Sequence, residues 1–514
     1  MSEENKNSEK TDLADFMADF IKNGSNGKMK NIMEAYLGSA DPEKLKAIEG
    51  GIFDDFVGHK YHSREDSIEI GKSLRKKVKR SSYASWEVKK DRTEIVHMIE
   101  EDEKTRIPEL IPVRHERMGA SAFAFYRGTA NIMARDLSEK QVTGIRAQLC
   151  GDAHISNFGF FASPERRMVF DINDFDETLR GPWEWDLMRL LTSIEICGRD
   201  RGFTEEQREV AVREAAQTYH KAMQDFSEMG NLDVWYARTD VESLLVNRSE
   251  ALGTALVEQI KAATAKAMKK DSTKAIARMT ETVNGFLRIK NNPPYTIPLS
   301  ELPAEKYGQQ SIMEALHAGE KQYRLSLPTE RRKLIDQYEI VDMALKTVGV
   351  GSVGLRNWIV VLEGRPGGDY LVLQIKQAKE SALEAYAGKS PYLVHGRRVV
   401  EGQHAVQATG DIFLGWMRMQ GTDGVKRDFY VRQLWNSKGS LKLDDIDYES
   451  LIGIGSMCAW TLARAHARTG DRHAIASYIG KSDVFDQAMI GFAKAYADQN
   501  EYDYEIYKKY NFIK

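Results

Sequence analysis

Ten consecutive residues, Cys150-Gly-Asp-Ala-His-Ile-Ser-Asn-Phe-Gly159, restrict what this chain can become more than any other stretch. An apolar run from Ile145 to Cys150 feeds them and a second, Phe158 to Ala162, leaves them. The polar residues therefore sit on a tight loop between two short strands. A third run, Met168 to Ile172, ends in Asp171-Ile-Asn-Asp-Phe-Asp176. Asp and Asn are ordinary turn formers, so either alone says little. Together Asp152, Asn157 and Asp174 say more. One carboxylate beside a nucleophile, an amide oxygen a short loop away and a second carboxylate across a hairpin meet the needs of phosphoryl transfer. That chemistry orients a hydroxyl and supplies oxygen ligands to a divalent cation.

Composition places this loop in an ordinary globular setting. The chain has 514 residues, 42% apolar and 29% charged, enough for about three domains or fewer without disulfide or metal staples. Its 73 Lys and Arg against 76 Asp and Glu give a net charge of −3, which gives no hint of nucleic acid or an anionic membrane as partner, and neither is expected. Cys150, Cys197 and Cys458 are too scattered for a disulfide framework or a cysteine zinc site. No apolar run approaches the ~18 residues of a membrane span, and the opening MSEENKNSEK lacks the apolar core of a signal peptide. A cytoplasmic protein is expected. The one dense basic block, Arg75 to Arg80, is expected to be a solvated helix face.

The second informative region lies downstream. Gly349-Val-Gly-Ser-Val-Gly354 is a G-x-G-x-x-G, weak by itself because a Rossmann turn shares the pattern. A Rossmann turn must lead into a helix. Here the strand-like Asn357 to Leu362 follows, then a hairpin at Arg365-Pro-Gly-Gly368 and a strand from Tyr370 to Ile375, next to Lys376. A short helix is predicted over Val399 to Ala408, strands over Asp411 to Met417 and Phe429 to Leu434, and an amphipathic helix near 448–468. Residues 203–285 read as helical, and a helix-like stretch runs from Leu13 to Ile21 before the breaker cluster Asn23 to Gly27.

Gly151-Asp152-x-His154-x-x-Asn157 resembles the catalytic loop of aminoglycoside phosphotransferases and related small-molecule kinases, with Cys150 where those enzymes usually carry His. Asp174-Phe-Asp-Glu resembles their metal-binding Asp, and Gly181-Pro182 with Asp186-Leu187 resembles the segment whose Asp anchors the catalytic loop from a downstream helix. Leu373-Gln-Ile-Lys376 resembles the Val-Ala-Ile-Lys strand whose lysine grips nucleotide phosphates. The resemblance implies Asp152 as the catalytic residue, Asn157 and Asp174 as magnesium ligands, and Gly349, Gly351, Gly354 and Lys376 around ATP. Glu401 is the candidate ion-pair partner of Lys376, with Glu380 and Glu384 as alternatives, and Arg432 to Asn436 is expected near the adenine.

In kinases the glycine loop precedes the catalytic loop; here it follows by about two hundred residues. The helix ending Leu462-Ala-Arg-Ala-His466 resembles the one that immediately precedes the catalytic loop in phosphotransferases. The chain therefore reads as an α+β, two-lobed protein-kinase-like fold, circularly permuted, with extra helices. An N-terminal polar segment (1–60) is followed by a catalytic part (61–200), a helical part (201–335), a nucleotide-binding lobe (336–445) and C-terminal helices (446–514). As a whole the chain also resembles a bacterial family catalogued as domain of unknown function 2252, over roughly residues 60–510. The carrying stretches include Arg117 to Gly128, Cys150 to Gly159, Phe170 to Thr178, Gly181 to Asp186 and Val348 to Gly354.

The expected activity is ATP- and Mg-dependent transfer to a hydroxyl on a small molecule or protein. A nucleotide-binding pseudokinase or an AMP-transferring regulator is the alternative. A metallophosphoesterase would need further His and Asn ligands, as in a Gly-Asn-His segment, which this sequence lacks. Three further residues stay open at this level, and a fourth reads one way. His154 reads as structural or functional, Asp171 as a second metal ligand or a loop acid. Arg127 reads as a phosphate contact or a partner of a loop carboxylate, and Asp186 as an anchor. Trp183 and Trp185 read as core.

Overall fold

A computed structural model describes residues 62–514 apart from 248–251, 269–271, 303–308, 348, 366–367, 422, 435–436 and 514. The helix expected over Leu13 to Ile21, the breaker cluster at Asn23 to Gly27, Val348, the centre of the Pro-Gly hairpin and Trp435-Asn436 lie outside the described residues. From Ser63 onward the described residues belong to one compact unit, Ser63–Lys514.

The polar loop is framed by short strands, as the breakers around it require. Strand β1 (Arg146–Leu149) pairs antiparallel with β4 (Leu179–Pro182), and β2 (Phe158–Ala162) with β3 (Met168–Ile172). Behind them runs helix α3 (Trp183–Asp200), numbered after α1 (Ile95–Glu103) and α2 (Ala122–Arg127). Every residue from Trp183 to Gly198 is buried, the mark of a central core helix. Helix α4 (Glu205–Glu228) opens with a capping box in which the Thr204 hydroxyl accepts from Gln207 N–H and the Gln207 side chain accepts from Thr204 N–H.

A six-stranded antiparallel sheet forms the other part. In chain order its strands are β5 (Thr296–Pro298), β6 (Tyr338–Lys346), β7 (Asn357–Gly364), β8 (Tyr370–Ala378), β9 (Gly415–Gln420) and β10 (Lys426–Gln433). Their spatial order is β9-β10-β8-β7-β6-β5. Alternate residues serve opposite faces: Trp358, Val360 and Leu362 pack into one cluster with Leu371, Leu373 and Ile375, while Ile359, Val361 and Val372 pack into another. Gln374 and Lys376 alternate with Leu373 and Ile375, so they share the face of Val372. Helix α5 (His395–Val406) links β8 to β9, and α6 (Tyr448–Thr469) packs along α4.

Several expectations need adjustment. The strand expected over Asp411 to Met417 begins only at Gly415, because Asp411 caps a turn: its Oδ1 accepts from Phe413 N–H and its Oδ2 from Gln433 N–H. The helical reading of 203–285 fails at its end, where Thr280–Val283 pairs with Phe286–Ile289 in a hairpin. The basic run is not simply a solvated face: Arg75 donates to the Tyr478 carbonyl at 3.0 Å and Arg80 to that of Ile479 at 2.6 Å. Both thus satisfy the C-terminal carbonyls of the helix Arg472–Ile479. Among the described residues no helix is long and apolar enough to cross a membrane.

Candidate functional site

Asp186, in the first turn of α3, fixes the polar loop. Its Oδ2 accepts from Cys150 N–H at 2.8 Å and its Oδ1 from Gly151 N–H at 3.1 Å. Gly151 has a φ of +83°, and a Cβ there would stand 2.2 Å from the Glu177 carbonyl oxygen, so only glycine lets the loop pass the acidic segment. From the other side His466 Nε2 of α6 lies 3.6 Å from Asp186, and Arg464 bonds Asp171 at 2.6 Å. Asp171 also accepts from Ala408 N–H. It sits on β3, buried in an ion pair with Arg464, and does not line the cavity that Asp152 and Asn157 open on. Trp183 and Trp185 are core residues.

Asp152 and Asn157 emerge on a cavity of about 450 Å³, within the ordinary range for a small-molecule site. Asp174, Asp176 and Glu177 line it, as do Gly349, Gly351 and Ser352 of the glycine loop. Two regions some two hundred residues apart thus meet in one space. Asp152 is held by Arg189 at 2.6 Å, and burial raises its carboxyl above the usual value despite that guanidinium. The Asn157 amide donates to the Asp152 carbonyl at 2.6 Å, which leaves its Oδ1 as the acceptor for a ligand. His154 is buried, with Nε2 3.6 Å from Asp152, and burial holds its imidazole well below the usual value, so it stands neutral.

Lys376 lies just behind the cavity wall. Its Nζ is 2.8 Å from Asp176 Oδ2 and 3.7 Å from Asp174 Oδ1. Tyr430, its cross-strand neighbour, donates to Asp176 Oδ1 at 2.7 Å, and the Ser352 hydroxyl to Asp176 Oδ2 at 3.1 Å. Burial opposes ionisation of Asp176, but Lys376 and Tyr430 outweigh it and hold that carboxyl below its usual value. Asp174 is pushed the other way, by burial and by the Asp176 carboxylate beside it.

Glu401 is not the partner of Lys376. Val399 and Gln403 pack inward, and Glu401, two residues from each, faces the opposite side of the helix, bonding Arg397 Nε at 3.2 Å. Gly396 and Gly402 fix that orientation, since a Cβ would meet the Phe429 carbonyl oxygen at 2.1 Å or the Thr178 hydroxyl at 2.4 Å. The helix instead sends in Arg398, which donates to the carbonyls of Asp176, Thr178 and Lys379. The alternatives fare no better: Glu380 pairs with Lys389, and Glu384 lies 3.6 Å from Arg398. Arg432 bonds Gln374 at 3.1 Å and the Asn173 carbonyl at 3.3 Å, away from the cavity lining.

The glycine loop is pinned from the N-terminal side. Arg106 donates to the carbonyls of Gly351, at 2.7 Å, and Val353, and Arg117 to that of Gly349. Ile107 N–H donates to the Gly354 carbonyl at 2.7 Å. Gly354 has a φ of +89° and does not itself line the cavity. Asp102 ties this strap to Lys379, just past β8, at 2.7 Å. Sequence reasoning missed Asp176, Tyr430 and Arg106. The i, i+2 spacing of Asp174 and Asp176 was a usable signal for the first.

Among the described residues no three His, Cys, Asp or Glu side chains form an all-protein metal cage. Magnesium seldom uses one, since it binds through one or two carboxylates plus substrate phosphates and water. The oxygen-only donors Asn157 and Asp174, both on the cavity wall, fit that habit. No curated protein and no solved structure matches the chain. Residues 106–510 match the family described as an uncharacterized protein conserved in bacteria, DUF2252, and a match over this much of the chain makes it a member of that family.

Proposed function

We propose that this protein is an ATP- and magnesium-dependent phosphotransferase acting on a hydroxyl of a small molecule, built on a circularly permuted two-lobed kinase-like fold. The carrying observation is the 3.7 Å separation of Asp174 and Lys376 beside a cavity that Asp152, Asn157 and the glycine loop also line. Further support comes from the sheet: the glycine loop joins β6 to β7, the lysine sits on the next strand β8, and a helix follows, the succession used by kinases to cover and grip phosphates. The α6 helix leaning on Asp171 and Asp186 supports the permuted order.

In this reading Asp152 receives the proton of the acceptor hydroxyl, a task suited to a carboxyl raised by burial. The Arg189 guanidinium and the Asp186 anchor hold it in place. Lys376 offers its ammonium to the phosphates, and the glycine loop, pinned by Arg106, closes over them. Asn157 and Asp174 would hold magnesium, which supplies neutralisation of phosphate charge when bound. A nucleotide-binding regulator is the second reading, favoured by one observation: Asp176 occupies the Lys376 ammonium and, through Ser352, the glycine loop.

The test is calorimetric titration of the purified chain with ATP, with and without magnesium. It is joined to a metabolite screen using ATP labelled separately at the γ- and α-phosphorus. Magnesium-dependent binding with γ-label in a hydroxyl compound, both lost in Asp174→Ala, is expected. Absence of nucleotide binding sinks the proposal; binding with α-label transfer, or none, selects the regulator.

A further inference from the structure

Arg127 ends α2 and projects into the same cavity. Its backbone is fixed on both sides. Tyr126 donates its hydroxyl to the Arg189 carbonyl at 3.0 Å and accepts at its own carbonyl from Arg189 Nη2 at 3.0 Å. The Arg127 carbonyl oxygen would stand 3.6 Å from a Cβ on Gly351, so the residue abuts the tip of the glycine loop. Asp152 lies on the same cavity wall, and its carboxylate and that of Asp444 act on the guanidinium from a distance.

The other Lys and Arg side chains on the cavity wall are matched. Arg106 serves Asp102 and the glycine-loop carbonyls, and Lys379 serves Asp102 at 2.7 Å. The Arg127 side chain has no hydrogen bond or ion pair among the described residues, and its Nε is buried without a partner. Arg189 has taken the Asp152 carboxylate that Arg127 faces. The carboxylates of Asp152 and Asp444 act on this guanidinium only through space, neither bonding it, and a buried N–H left without an acceptor is expensive. Such a group, set between a phosphate-covering loop and a general base, is matched by an oxyanion brought by the substrate.

We infer that Arg127 binds the terminal phosphoryl group of a nucleoside triphosphate, holding it between the glycine-loop tip and Asp152. This rests on the phosphotransferase reading. In the step it serves, the acceptor oxygen bonds to the γ-phosphorus. The bond from that phosphorus to the β,γ-bridging oxygen breaks, and its electron pair leaves with the nucleoside diphosphate. The acceptor proton passes to Asp152. Arg127 stays protonated throughout and neutralises charge on the group in transit.

The experiment compares wild type, Arg127→Ala and Arg127→Lys. The expected result is an ATP affinity ~10–100-fold weaker in Arg127→Ala, with ADP affinity unchanged and Arg127→Lys intermediate. The melting temperature of the free Arg127→Ala protein should equal or exceed that of wild type, because no side-chain hydrogen bond or close ion pair is lost and a buried, unbonded N–H is removed. Equal loss of ATP and ADP binding with a lowered melting temperature marks a structural arginine and overturns the inference, as does unchanged ATP affinity. Inorganic tripolyphosphate is the control probe. Should wild type bind neither nucleotide, the phosphotransferase reading falls. Thermal stabilisation by tripolyphosphate in wild type but not in Arg127→Ala would then still uphold the oxyanion site, and its absence would end both.

Discussion

Lys376 and Asp176, 200 residues apart in the chain, form an ion pair at 2.8 Å, buried on the lysine side, that joins the sheet to the acidic segment after β3. Truncating one partner leaves the other's charge stranded. Lys376→Met should therefore lower stability by about 3–5 kcal/mol in urea denaturation. The double variant Lys376→Met/Asp176→Asn should regain much of that loss without regaining nucleotide affinity. Recovery of both would mean that the lysine has no role beyond the pair.

Asp186 should behave as an anchor rather than a reactant. In Asp186→Ala the amides of Cys150 and Gly151 lose their acceptors in a buried setting, costing about 1–3 kcal/mol for each group left unsatisfied. Urea denaturation measures it. Asp152→Asn keeps an oxygen for Arg189 and should change stability far less, while transfer falls at least ~100-fold with ATP affinity kept.

Gly354 gives a prediction about the loop. At φ +89°, with a Cβ there only 2.9 Å from Arg106 Cβ, Gly354→Ala should displace the strap and raise the KM for ATP more than it lowers kcat. A steady-state comparison with Gly368→Ala, where a Cβ meets nothing within 4 Å, separates this clash from general strain at positive φ.

His220 supplies a pH dependence. Burial disfavours its imidazolium, but Asp486 at 3.0 Å and the Gly480 carbonyl outweigh this and raise it above the usual value. A group raised on folding contributes stability that is fully present below the unfolded value, ~6.5, and is lost as pH rises through the folded one. His220→Gln should thus lower the melting temperature more at pH 6 than at pH 9. An equal loss at both would refute the assignment.

Much of the site was legible because it is local. The strands Phe158–Ala162 and Met168–Ile172 begin and end where the alternation of apolar runs and breakers puts them, since short-range pattern decides both. The loop that enters the first of them, after Arg146–Leu149, carries Asp152 and Asn157 by chain connectivity alone. Strand Tyr338–Lys346 was not legible: Glu339 and Asp342 fall three residues apart among its apolar residues, so no period-two alternation marks it, and both its faces are partly covered. Glu401 was assigned inward because a helix of unknown orientation offers several plausible faces, and the two close approaches at Gly396 and Gly402 selected among them.

By itself the sequence determined the local pieces: a polar loop between strands, an acid run after a hairpin, a glycine loop leading to a strand that carries a lysine. Each depends on torsions and apolar spacing within a dozen residues. The tertiary structure alone decided which charges meet. Asp176 rather than Glu401 faces Lys376, and Arg189 rather than Arg127 holds Asp152, because electrostatic partnership falls off over a few ångströms and is set by the register between segments far apart in the chain.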